Sequence, residues 1–272
     1  PSLRSLGDAF WHEVVAKSEA QVLSKLEGPA SDAYLLSESS LFVYDGFITM
    51  ITCGRTRLAA AVELVVGRIG ADSVALLTYE RKNEHFPNRQ RSSFYDDARA
   101  IARLVPGRAL RFGAEHDHHV HLFVSKQPYE VYPQDTTLEI LMHGLSDEAA
   151  GQWVACEAKG ESIAADRGLT ELLPDFAIDE HAFTPAGYSM NGLRGSDYYT
   201  IHVTPEELGS YVSFETNLDF RGQLSALVDG VVNIFQPRSF DVMAFVPGGG
   251  AELVLEPKAH RVKDKVQSKV HG

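Results

Sequence analysis

Cysteine is scarce: Cys53 and Cys156 are the only two in 272 residues. That excludes a disulfide scaffold and points to a reducing, cytoplasmic compartment. Basic residues are also in deficit, with 25 Lys and Arg against 37 Asp and Glu, a net charge of −12. Nucleic acid and anionic membranes are therefore not expected as partners, because phosphate binding needs clustered Lys and Arg. There is no signal-like or membrane-spanning apolar run. Gly248-Gly249-Gly250 lacks both a following Lys-Ser/Thr pair and G-x-G-x-x-G spacing, so it reads as a hairpin turn and not a phosphate cradle. H-E-x-x-H and G-x-S-x-G are missing too. His116, Asp117, His118, His119 and His121 are the densest group of metal-ligand types. Without paired Cys or zinc-site spacing they read as a polar hairpin tip, and no metal is expected.

What is present is an ordinary globular composition, 44% hydrophobic and 23% charged, with room for a large core in one or two domains. Apolar spacing reads as a helix from Leu6 to Leu26, ended by Gly28-Pro29. Ala33 to Phe42 and Phe47 to Cys53 read as strands around an Asp45-Gly46 turn. Helices are expected over Thr56 to Arg68, Ser93 to Leu104 and Arg221 to Phe235, and another starting at Leu138. Further strands are expected over Ser73 to Glu80, Ala109 to Phe112, His119 to Lys126, Ala177 to Ala182, Tyr198 to Val203, Tyr211 to Asn217, Ser239 to Pro247 and Glu252 to Glu256. Gly187 to Gly195 reads as loop. Strand pairs followed by helices favour an α+β fold with antiparallel sheets, and the theme recurs in both halves.

The stretch Leu35-Leu36-Ser37-Glu38-Ser39-Ser40-Leu41-Phe42 breaks an apolar β pattern with four polar residues. Ser and Glu are weak strand formers, and a Ser cluster alone would be a turn. Its company differs. Ser39, Cys53, Ser189, His202 and Glu206 all fall at strand ends or in adjoining loops. A Ser hydroxyl with a base and an oxyanion partner nearby is a nucleophile.

Asp32-Ala33-Tyr34-Leu35-Leu36-Ser37-Glu38-Ser39-Ser40, Thr52-Cys53-Gly54, Asp135-Thr136-Thr137-Leu138-Glu139-Ile140-Leu141-Met142, Gly187-Tyr188-Ser189-Met190-Asn191-Gly192, and the run from Tyr199 through His202-Val203-Thr204-Pro205-Glu206 to Leu218 resemble the eukaryotic-type S-adenosylmethionine decarboxylase family. The likeness runs in order from about Arg4 to Pro247. It implies a four-layer αββα sandwich of two antiparallel sheets with internal duplication. That is one domain over residues 1–272, with halves of about 1–145 and 146–272.

The resemblance implies self-processing. Ser39 attacks the Glu38 carbonyl, giving an ester. Elimination and hydrolysis then leave a pyruvoyl group at Ser39, and chains 1–38 and 39–272. Ser189 is implied as the oxyanion partner and His202 as the base that removes the Ser39 Cα proton. The pyruvoyl would form a Schiff base with S-adenosylmethionine and do the work that pyridoxal phosphate (PLP) does elsewhere, so no PLP is expected. Cys53 is implied as proton donor to the product carbon. Leu36, Glu38, Phe183 and Glu206 are implied substrate contacts, Phe183 stacking on adenine and Glu206 holding the ribose. The product would feed spermidine and spermine biosynthesis. Asp135, Thr137, Glu139 and Glu215 resemble an activator site for putrescine. Relatives differ in oligomeric state, one form being a homodimer.

Two departures from the family pattern stand out. Family members begin with a strand carrying Phe-Glu-Gly, and nothing before Ser39 matches it; Phe10-Trp11 falls in a helix pattern, and Pro1 is not an initiator Met. The family Lys two residues before the catalytic Cys is Ile51 here. Arg55, Arg57 or Arg111 is expected to supply the missing positive charge. Two alternatives stay open: a pyruvoyl-dependent ornithine or arginine decarboxylase, and a non-catalytic family member that regulates an active partner.

Overall fold

The computed structural model describes residues 2–37, 39–52, 56–82, 90–114, 116, 119–130, 132, 135–154, 162–205 and 209–246. Helix α1 (Asp8–Lys17) buries Trp11, Val14 and Val15, the i, i+3, i+4 spacing of one helical face. It stops where the Ser18 hydroxyl turns back onto the Val15 carbonyl, 2.7 Å away, and Glu19 takes a positive φ of 66°. Strands β1 (Val22–Glu27), β2 (Ser31–Leu36), β3 (Ser39–Tyr44) and β4 (Ile48–Thr52) form an antiparallel sheet in that order. Helix α2 (Leu58–Ile69) lies beside α1 on its outer face, where Trp11, Val14, Val15, Tyr34, Leu36, Leu41, Val43, Ala61 and Val65 make one core.

Strand β5 (Thr78–Lys82), helix α3 (Phe94–Leu104), and strands β6 (Gly107–Phe112) and β7 (Val120–Ser125) make a second unit. Its sheet has the order β5-β7-β6. A capping box between Ser93 and Asp96 starts α3, and Phe94, Ala98 and Ile101 pack with Tyr79 and Phe123.

Strand β8 (Thr137–Leu145), short helices α4 (Asp147–Gly151), α5 (Ile163–Asp166) and α6 (Leu169–Leu172), strands β9 (Ala177–Ala182), β10 (Tyr188–Arg194), β11 (Asp197–Thr204) and β12 (Tyr211–Thr216), helix α7 (Leu224–Phe235) and strand β13 (Pro237–Phe245) complete the described chain. The six strands pair as β13-β8-β12-β11-β10-β9. Period-two alternation divides their side chains. Leu138, Ile140, Met142, Tyr188, Met190, Tyr199, Ile201, Val212 and Phe214 meet Trp153 and α7 in the largest core. The opposite face meets the first sheet: Ala33, Phe42 and Tyr44 pack with Leu193 and Tyr198, and the Phe42 and Tyr198 rings stack at 4.2 Å.

The layers therefore run helices, sheet, sheet, helices, as expected of an αββα sandwich. The β5-β7-β6 sheet also faces the six-stranded one, through Lys82, which contacts His143 on β8 and Asp241 on β13. Among the described residues the strands form three hydrogen-bonded sets, where two sheets were expected.

Four elements differ from the sequence reading. The single strand expected over Ala33 to Phe42 is two, β2 and β3, folded back so that Ala33 and Phe42 are cross-strand partners, because the polar Ser-Glu step makes the turn. Residues 22–27 are strand β1 and not the end of a helix, because the chain breaks at Ser18-Glu19 and then pairs with β2. Residues 137–145 are strand β8 and not a helix start, with Glu139 opposite Glu215 in a regular ladder. The expected loop at 187–195 is strand β10, paired on both sides. Its Ser189 and Asn191 looked loop-like because they face the layer between the sheets and not the apolar core. Gly192 admits the Tyr199 ring, which would lie 2.5 Å from an added Cβ. The strand expected from Glu252 and the Gly248 turn lie outside the described residues.

Candidate active site

The β2–β3 register places Leu36 opposite Ser39 and leaves only Ser37 and Glu38 to connect the strands. Two-residue hairpins usually place Gly or Asn where φ must be positive. Here neither is present, and the unusual conformation falls on Ser39, whose φ is 150°. That is a sparsely populated backbone state for a residue with a Cβ and a form of stored strain. Ser39 is 2% exposed and faces Thr52 of β4 on its other side. Glu38 itself lies outside the described residues. So do Cys53, which follows Thr52, and Glu206, which lies two residues beyond the end of β11.

Ser40 is completely buried and points into the layer between the sheets. Its Oγ donates to Asn191 Oδ1 at 2.6 Å and lies 3.0 Å from His202 Nε2. Thr200 Oγ1 lies 2.9 Å from the same nitrogen. On the other side of the ring, Nδ1 lies 2.9 Å from Ser189 Oγ. Ser189 and His202 are direct cross-strand partners on β10 and β11. Their position beside Ser40 thus follows from sheet pairing and sheet stacking together. Burial alone pushes the His202 pKa down to about 4, so the ring is neutral at pH 7. The arrangement offers a neutral imidazole base and a hydroxyl donor one residue from a strained, buried serine.

Leu36 has its side chain in the helix-side core, so only its backbone adjoins Ser39. Phe183 follows β9; its N–H donates to the Gly187 carbonyl at 2.9 Å and its ring meets His181 edge-on at 4.6 Å.

A second polar cluster lies on the β8–β12 side. Glu139 and Glu215 face each other across the ladder. The Tyr198 hydroxyl donates to Glu215 at 2.5 Å. Glu80 of β5 completes the group, and the sequence reading missed it. Alternation along β5 carries the signal: Tyr79 and Arg81 reach Asp97 of α3, so Glu80 and Lys82 face the other way. Burial, then the neighbouring Glu215, pushes Glu80 up to about 7. Burial, then Glu139, pushes Glu215 up to about 8. Burial, then Glu80, holds Glu139 well above the carboxylate range. Thr137 opens β8. Asp135 is held by the Tyr129 hydroxyl at 2.6 Å and the Tyr132 N–H at 2.9 Å.

The expected compensating arginines lie elsewhere. Arg57 pairs with Glu19 before α2, and Arg111 is on exposed strand β6 opposite His121. Arg55 lies outside the described residues. Lys82 is the cation whose charge reaches Glu80. In the histidine-rich segment, His121 stacks on Phe94 at 4.8 Å and meets His119 edge-on at 4.9 Å. Asp117 and His118 lie outside the described residues.

The family model for adenosylmethionine decarboxylase matches residues 1–270. The chain belongs to the adenosylmethionine decarboxylase family. An S-adenosylmethionine decarboxylase proenzyme from Dictyostelium discoideum is 32% identical over 91% of this chain and 67% of its own length. The proenzyme from Xenopus laevis is 33% identical over 90% of this chain and 76% of its own. The one from Trypanosoma cruzi is 34% identical over 90% and 70%. A crystal structure of the Trypanosoma brucei AdoMetDC-delta26 monomer superposes with a TM-score of 0.56 at 27% identity, covering 75% of this chain and 78% of that one. In this chain the Ser39-Ser40 start of β3 and the Ser189-His202 pair lie on two facing sheets, so motifs far apart in sequence meet.

Proposed function

We propose that this family member is a proenzyme that cuts itself between Glu38 and Ser39. It then decarboxylates S-adenosylmethionine in the cytoplasm, supplying aminopropyl groups for polyamine synthesis. The observation that carries the reading is the placement of Ser39. It closes a two-residue hairpin without glycine, at a φ of 150°, one residue from a serine bonded to a neutral, buried histidine.

The chain's own groups supply each need of self-cleavage. The Ser39 hydroxyl attacks the Glu38 carbonyl, and the Ser189 hydroxyl donates to the oxyanion. His202, neutral at pH 7, takes the Cα proton of Ser39. The residue present fits the group expected: a serine, fully enclosed, as the precursor of a pyruvoyl. Once formed, a pyruvoyl supplies the electron sink that lets a bound amino acid lose CO2. Phe183 is proposed to stack on the adenine, where a sulfonium also favours aromatic neighbours. Cys53 is proposed as proton donor and Glu206 as the ribose contact. Glu38 and Leu36 are proposed as further substrate contacts.

The test has two parts. Intact mass under denaturing conditions separates a self-processing enzyme from a regulatory homologue, since one uncut chain would contradict the proposal. A panel of carboxyl-labelled S-adenosylmethionine, ornithine and arginine then reads CO2 release; release from ornithine or arginine alone would reassign the substrate.

The Glu80, Glu139 and Glu215 cluster supports a second role in the same protein. Three carboxyls whose ionisation is suppressed by burial and mutual repulsion can ionise if a diamine supplies the missing charge. Putrescine is the proposed activator. Decarboxylation measured with and without it decides, an unchanged rate excluding activation. A homodimer is the proposed assembly, tested by sedimentation. Among the described residues no helix is long and apolar enough to cross a membrane.

A further inference from the structure

Ser189 stands in the middle of a row of three. On β10 it pairs with His202 of β11 on one side and with His181 of β9 on the other. Cross-strand partners share a face of the sheet, as do residues two apart on one strand. His181 therefore stands on the face that meets the first sheet, and so does Phe183, whose ring it meets edge-on. Burial falls along the row. His202 and Ser189 are 7% and 6% exposed. His181 is open to solvent, because β9 is the outermost strand of its sheet among the described residues.

The register of the first sheet shows what His181 faces. Ser40 of β3 reaches Asn191, and at the same level Ser24 Oγ of β1 donates to Asp179 Oδ2 at 2.6 Å. Asp179 is the β9 partner of Asn191, and Ser24 is the β1 partner of Leu35, which pairs with Ser40. The next steps along β9 lead from Asp179 to His181 and then Phe183. The matching direction on β1 leads from Ser24, past the irregularity after Val22, to Gln21. There the Ser37 N–H donates to the Gln21 carbonyl at 2.8 Å, and the Gln21 N–H donates to Ser37 Oγ at 3.1 Å. His181 and Phe183 thus line the open end of the layer between the sheets, the same end as the connection into Ser39.

The two rings make a corner, 4.6 Å between centroids and 72° between planes. Its Phe183 side is held in place. The Phe183 N–H donates to the Gly187 carbonyl, and the ring lies against Gly187, 3.4 Å from where a Cβ would stand. A flat heterocycle fits such a corner, stacking on one ring and presenting its edge to the other. We infer that His181 is a specificity-determining residue that closes an aromatic corner with Phe183 around the purine of the substrate. The inference rests on the reading of Phe183 as the adenine contact and adds the second wall. A histidine suits the place, since its polar ring can stand in water before substrate arrives and still offer a flat face to a base. An aliphatic amino acid such as ornithine has no ring to fill the corner, so His181 favours a nucleoside-bearing substrate.

The experiment uses the full, self-cut chain and measures CO2 release from carboxyl-labelled S-adenosylmethionine. His181→Ala is expected to cut itself as the parent does and to keep kcat within about twofold. Its KM should rise about fivefold or more, the loss of one base–aromatic contact. Methylthioadenosine, which has the purine and no amino acid, serves as a competitive probe, and its inhibition constant should rise by the same factor. His181→Phe keeps a ring and should hold KM within about twofold of the parent. An unchanged KM or inhibition constant in His181→Ala would overturn the inference. So would a His181→Phe chain as weak as the alanine variant, since the ring would then not be what binds. Phe183→Ala separates the two levels of the argument. If it leaves KM unchanged, the adenine reading beneath the inference fails; if it raises KM while His181→Ala does not, the inference alone fails.

Discussion

Glu139 stands directly opposite Glu215 across the β8–β12 ladder, and Glu80 comes from the facing sheet to join them. Like charges directly opposite each other weaken a sheet, so the cluster favours retained protons. The folded pKa values of Glu80 and Glu215, about 7 and about 8, lie above the ordinary 4.5. Their contribution is fully present below 4.5 and is lost as pH rises through 7 to 8. Urea unfolding should show stability falling from about pH 4.5 to about pH 8 and levelling off above. Glu80→Gln should flatten that fall by on the order of 2–3 kcal/mol. An unaltered slope would show that Glu80 does not carry the strain.

His202 gives the opposite slope. Its folded pKa, about 4, lies below the ordinary 6.5, so the unfolded chain takes up the proton first as pH falls. The stability contribution is complete above 6.5 and is lost toward pH 4. The difference of 6.5 − 4 = 2.5 units corresponds to roughly 3 kcal/mol. Unfolding of the Ser39→Ala chain, with and without His202→Gln, isolates this term. The glutamine variant should lose less stability on acidification, by about that amount.

Ser39→Ala should give a folded chain that stays at full mass and releases no CO2. Alanine keeps the Cβ and so the strained backbone, and removes only the nucleophile. Mass spectrometry under denaturing conditions reads the outcome, and any fragment ending at Glu38 would contradict the assignment of Ser39.

Gly192→Ala should destabilise without touching the chemistry directly. The new methyl would lie 2.5 Å from the Tyr199 ring, an overpacked contact worth about 1–3 kcal/mol. A lowered urea midpoint with an unchanged denaturant slope is the expected result.

Much of the fold was legible where one rule acted alone. The apolar faces of α2, α3 and α7 and the Ser93 cap announce themselves, because helices buried on one side must show it in their spacing. The strands β8 and β10 were not legible, for a shared reason. Each buries both faces, one against apolar residues and the other against a polar interior, so Glu139, Ser189 and Asn191 looked like surface or loop residues. The members of the candidate site were legible through motif resemblance. Ser40, Asn191 and Thr200 were not, because their hydrogen bonds depend on two sheets meeting face to face. Glu80 was missed because its partners come from a different sheet 59 and 135 positions on, 139 − 80 and 215 − 80.

The β2–β3 hairpin has a consequence for the life of the molecule after the cut. Scission after Glu38 would put α1, β1 and β2 on one chain and every other described element on the second, with β2 still laddered to β3 across the break. The strained connection would relax while the sheet remained closed. The precursor refolds as one molecule, at a rate independent of concentration. The matured protein would have to find its missing strand in a bimolecular encounter, so dilution after unfolding would separate the pieces. Maturation would thus act as a ratchet, the mature form holding together mainly by never coming apart.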